Sequence, residues 1–103
     1  MNRVVENGNV AVLYSPGYGA GWYSWNDCEA LLFDPVIVEM VRNDRNDEIE
    51  SYVARAYPEL NVYCGGAETL TVAWIPIGER FQIDEYDGAE SVILESEEVW
   101  ITA

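Results

Sequence analysis

The sequence predicts a single α+β domain spanning residues 1–103, and three observations carry that expectation. Helix-start signals crowd the stretch from Asn26 to Tyr57, the apolar period shortens to two from Leu70 onward, and no linker, repeat or low-complexity run divides the chain. Half of the residues are apolar and 13% are aromatic. That is enough to build a core without metal or disulfide help, and too much for wholesale disorder.

The first element is the strand Asn9-Val10-Ala11-Val12-Leu13-Tyr14, which runs into Ser15-Pro16 and the glycine-rich turn Gly17-Tyr18-Gly19-Ala20-Gly21. Asn26 with Glu29 three residues on is a capping-box pattern and predicts a helix over Asp27–Phe33. Asp34-Pro35 opens a second helix, because proline is pre-set for the first helical position, and Val36, Ile37, Met40 and Val41 give it an apolar stripe. A third begins at Asn46, with Asp47, Glu48 and Glu50 in its first turn, and Pro58 ends it. Asn61–Cys64 reads as a short strand before the Gly65-Gly66 turn.

From Leu70 the pattern is that of an antiparallel meander with two-residue loops at Gly78-Glu79 and Asp87-Gly88. The second loop sets Tyr86 opposite Ala89, Glu85 opposite Glu90, Ile83 opposite Val92, Phe81 opposite Leu94 and Arg80 opposite Glu95. The first sets Trp74 opposite Ile83 and Pro76 opposite Phe81. One core face, covered by the helices, is then Val72, Trp74, Phe81, Ile83, Val92 and Leu94. Ile75, Ile77, Ile93 and Trp100 form the outer face, a contact or dimer surface unless another element covers it.

Charge is the most one-sided property. Nineteen carboxylates face five arginines, with no lysine or histidine, for a net charge of −14. A compact domain of this length has a radius of gyration of roughly 13 Å, so it is on the order of 35 Å across, a length over which duplex DNA carries about 20 phosphates. Such a chain is repelled by nucleic acids and anionic membranes and attracted to basic grooves. The plainer reading is that the acidity serves solubility alone.

Motifs for chemistry are weak. The glycine-rich turn lacks GxGxxG spacing and a lysine to meet a phosphate. Cys28 and Cys64 are too far apart for a local metal or redox motif, and with no histidine they read as free thiols. Asp84-Glu85-Tyr86-Asp87-Gly88 lacks the ligand spacing of a calcium loop. No base, nucleophile elbow or activated cysteine is visible, so neither an enzyme nor a cofactor is expected. With nineteen carboxylates, a pair placed for glycoside cleavage carries no information. The N-terminus is not a secretory signal and no apolar run approaches a membrane span, so a soluble, cytoplasmic protein is expected.

Two candidate sites remain. Asp84, Glu85, Asp87, Glu90, Glu95, Glu97 and Glu98 cluster with no basic residue after Arg80, and the Glu85–Glu90 pairing costs stability unless a cation or a partner's arginine lies between them. Tyr18, Trp22, Tyr23 and Trp25 offer an aromatic contact patch for a protein, a sugar or a base.

The phrases Ser15-Pro16-Gly17-Tyr18-Gly19-Ala20-Gly21-Trp22, Tyr63-Cys64-Gly65-Gly66-Ala67-Glu68 and Phe81-Gln82-Ile83-Asp84-Glu85-Tyr86-Asp87-Gly88 resemble those of small uncharacterised proteins from phages and prophages. That resemblance implies a counter-defence role of the kind acidic anti-CRISPR proteins play, in the cytosol of a host cell. The expected function is therefore a non-enzymatic inhibitor or nucleic-acid mimic that binds the basic groove of a DNA- or RNA-handling protein through the acidic hairpin. The alternatives are a small-ligand or carbohydrate-binding module built on the aromatic turn, and a structural subunit without activity of its own.

Overall fold

The computed structural model describes residues 2–97 and 101–103. It is an α+β fold of two antiparallel sheets and short helices. Strand β2 (Asn9–Tyr14) lies between β1 (Val5–Glu6) and β3 (Thr71–Pro76), while β4 (Phe81–Tyr86) and β5 (Ala89–Leu94) form a separate hairpin. Ala11, Val12 and Leu13 are all fully buried, so β2 is covered on both faces. Its uninterrupted apolar run is what a strand in that position needs.

The two faces of the first sheet seed two cores. Ala11, Leu13 and Val72 pack with Trp22, Leu31, Ile37, Val38, Ile49 and Val53 on the helical side. Val10, Val12 and Ile75 pack with Leu32, Phe33, Phe81, Ile83, Val92 and Leu94 on the hairpin side.

The hairpin register across Asp87-Gly88 is as expected, from Tyr86 opposite Ala89 to Phe81 opposite Leu94, and Ile83 and Val92 share a core. The pairing expected across Gly78-Glu79 does not form. Trp74 lies opposite Ala11 and Pro76 opposite Asn9, because β3 spends its ladder on β2, and Ile77 extends it by donating to the Gly8 carbonyl at 2.9 Å. β4 therefore starts a second layer instead of continuing the first.

The side-chain parity changes accordingly. Ile75, expected outside, is buried against the hairpin, whereas Trp74 is 39% exposed under the Arg42 guanidinium, 5.4 Å from the ring centroid. Ile77 is exposed and Ile93 half-buried; Trp100 lies outside the described residues.

Helices α1 (Tyr23–Asn26), α2 (Ala30–Phe33), α3 (Pro35–Arg42) and α4 (Ile49–Ala56) complete the fold. Asp34 caps α3 as expected, its Oδ1 accepting from Val36 N at 2.8 Å and Ile37 N at 3.4 Å. Asn26 does not open a helix. It ends α1, with Asp27 left-handed at φ 49°, and its side chain accepts from Tyr63 N and donates to Tyr63 O at 2.8 and 3.0 Å. The Asn46–Glu48 segment is a 3₁₀ turn before α4, and Asn46 donates to the carbonyls of Ala67 and Leu70. Asn61–Cys64 is irregular, not a strand.

Candidate interaction site

The β4–β5 hairpin and the glycine-rich loop, separate in the sequence, meet in space. Asp87 and Gly88 have φ of 53° and 85°, the signs of the primed turn that suits a two-residue hairpin loop. Gly19 N donates to Asp87 O at 2.6 Å, and a Cβ on Gly88 would fall 2.4 Å from Ala20 O. Only glycine admits that approach. The contact leaves Tyr18 on the loop and Tyr86 on the hairpin 77% and 75% exposed.

Asp84, Glu85 and Asp87 are exposed around this turn. Glu85 bends back to accept from Gly88 N at 2.9 Å. Glu95 and Glu97 are also exposed but lie at the open end of the hairpin, about 17 Å away at the usual strand rise. Arg80 partly neutralises Glu95 there, at 3.5 Å. Glu98 lies outside the described residues.

Glu90 departs from the expectation. It stands opposite Glu85 yet is only 3% exposed, so it is not a partner-binding residue in this state. Its Oε1 accepts from Ser15 N at 2.8 Å, and its Oε2 accepts from Trp22 N, Ser24 N and Ser24 Oγ at 3.0, 2.9 and 2.6 Å. The expected repulsion from Glu85 is relieved because the two carboxylates diverge, one to the turn and one into the loop, with no cation between them among the described residues.

The aromatic set also divides. Trp22 is fully buried, its indole donating to Leu31 O at 2.8 Å, so it belongs to the core and not to a contact patch. Tyr23 is half-buried. Trp25 is 44% exposed and packs against Tyr63, ring centroids 5.1 Å apart. Tyr63 and Tyr86 were not singled out by the sequence. Tyr86 had a signal, its place beside the Asp87-Gly88 loop; Tyr63 had none, since only tertiary contact brings it to Trp25.

An open cavity of about 650 Å³ is lined by Glu50, Val53, Tyr57, Asn61, Tyr63 and Cys64 among others. Burial, and then the Glu50 charge, push the Cys64 thiol up, which favours its neutral form. Both cysteines are free and half-buried. Among the described residues no group of three His, Cys, Asp or Glu side chains is placed to hold a metal ion, and no helix is long and apolar enough to cross a membrane.

Compared with known proteins, the chain matches no family model, no curated protein and no solved structure.

Proposed function

We propose that this protein is a non-enzymatic inhibitor that docks its acidic hairpin turn on a basic groove of a DNA- or RNA-handling protein. The observation that supports this reading is the composite end formed by Asp84, Glu85 and Asp87 beside the exposed rings of Tyr18 and Tyr86. No arginine pairs with those three carboxylates among the described residues, the salt bridges lying at Arg3, Arg42, Arg45 and Arg80. Carboxylates steer and orient a basic partner, and tyrosines supply rigid contact area at modest entropic cost.

Magnitude limits the mimicry. Over the hairpin's length of about 17 Å, duplex DNA presents about ten phosphates, and the hairpin presents fewer charges. Affinity must then draw on Tyr18 and Tyr86 as well as on charge. A counter-defence role, as the resemblance to phage proteins implies, is the setting in which such a protein acts.

The experiment is a pull-down from host lysate at low and high salt, comparing the wild type with Asp84→Lys/Glu85→Lys/Asp87→Lys. A nucleic-acid-handling protein should be captured by the wild type alone, released by salt and displaced by duplex DNA. Equal capture by both chains, insensitive to salt, refutes the reading.

A second reading, a small-ligand module, draws on the cavity lined by Tyr57, Tyr63 and Asn61. Saturable shifts of Tyr63 and Cys64 signals on titration with simple sugars would favour it.

A further inference from the structure

We propose that the Ser15–Ser24 loop is an anion-binding nest whose resident ligand is the chain's own Glu90 carboxylate. Three backbone amides and one hydroxyl converge on that group, from Ser15, Trp22 and Ser24. Glu90 is buried, and no arginine reaches it among the described residues. Its charge is balanced by oriented N–H dipoles, the means by which a glycine-rich loop holds a phosphate or carboxylate from outside. The loop that follows β2 is thus an anion loop, filled from within.

The arrangement is a closure device. Both ends of the loop rest on one carboxylate, while its middle is tied to the hairpin by Gly19 N to Asp87 O and its start by Glu90 N to Ser15 O at 2.8 Å. Close approach of the second glycine turn completes the seat, since a Cβ on Gly66 would lie 2.5 Å from Gly21 O. With Glu90 seated, the Gly19-Ala20 backbone is held against the hairpin turn and Trp22 is covered. With Glu90 removed, the amides are left facing a vacancy the size of a small carboxylate. The inference does not depend on any partner or basic groove.

Glu90→Ala deletes the equivalent of one acetate, and Glu90→Gln keeps the shape but turns an NH₂ toward at least one donor. In Glu90→Ala sodium acetate should raise the melting temperature further than sodium chloride does at equal ionic strength, with an excess that saturates, while the wild type responds equally to both. In Glu90→Gln, amide exchange at Ser15 should quicken by about tenfold or more, since a buried donor facing a donor loses at least one hydrogen bond. An acetate response of Glu90→Ala no larger than its chloride response overturns the proposal. So does Glu90→Gln with unchanged exchange at Ser15, Trp22 and Ser24, which decides the matter even where Glu90→Ala does not fold.

Discussion

Asp34 and Glu90 are the two carboxylates that the described fold takes out of water. Asp34 caps α3 with one oxygen and with the other accepts from the Tyr52 and Tyr57 hydroxyls at 2.8 and 2.6 Å. Asp34→Ala removes a cap and strips a partner from two phenols, so it should cost about 3 kcal/mol in urea unfolding. Burial first, then the hydrogen bond and charge of Asp34, push the Tyr52 phenol from 10.0 up to about 12, and Tyr57 is raised further by the same causes. A phenol whose folded pKa exceeds its unfolded one contributes stability that is complete below the unfolded value and lost as pH rises through the folded one. Stability should therefore fall from about pH 10 toward pH 12, and Tyr52→Phe should flatten that fall; an unchanged alkaline limb would contradict it. Trp22 and Tyr18 make the contrasting pair. Trp22→Phe loses a buried hydrogen bond and core volume, about 2 to 4 kcal/mol, whereas Tyr18→Ala should stay within about 0.5 kcal/mol.

The β4–β5 hairpin is the element whose register the sequence specified best, because Asp87-Gly88 dictates turn type and loop length together. Glycine is required there by conformation and by space. At Gly78 the φ of 87° is the only obstacle, with nothing within 4 Å of an added Cβ. Gly78→Ala should cost about 1 kcal/mol and Gly88→Ala about 3 kcal/mol or more, since Ala20 backbone must also move; denaturant midpoints of the two variants test the order. The same signal stands at Asn7-Gly8, where φ of 52° and 79° turns β1 into β2, yet Val5–Glu6 was too short to read as a strand. The Gly78-Glu79 signal misled for the opposite reason. A turn does form, but one residue earlier than expected, with Ile77 and Gly78 at its centre and Glu79 N donating to Pro76 O at 3.0 Å, and a local turn does not decide which strands pair beyond it.

At the scale of the whole molecule, the radius of gyration is 14.0 Å and the extents are 50 × 32 × 25 Å, near the roughly 13 Å expected for this length. Most of the net charge of −14 therefore sits on a small surface and repels itself. The exposed ion pairs at Arg3, Arg42, Arg45 and Arg80 offset little of this. Added sodium chloride should raise the melting temperature of the free protein, most steeply below about 0.15 M, where the screening length is still longer than about 8 Å. A melting temperature that falls with salt would show that the ion pairs outweigh the repulsion. The same screening should weaken docking of the Asp84, Glu85 and Asp87 end, so salt separates the two effects by sign.

What the sequence determined by itself is local. Strand β2, the Asp34-Pro35 helix start and the register of the last hairpin follow from apolar period, a capping side chain and a two-residue turn, each contained within a few neighbouring residues. Acidity and the lack of histidine and lysine were equally plain, and they narrow the function. Tertiary structure alone decided that β3 pairs with β2, that Ile75 and not Trp74 faces the hairpin, and that Trp22 is core. It also turned Glu90 from a surface charge into the buried ligand of a loop 66 to 75 residues away. The physical reason is that a carboxylate's role depends on which donors surround it, and those donors arrive only when distant backbone folds around it.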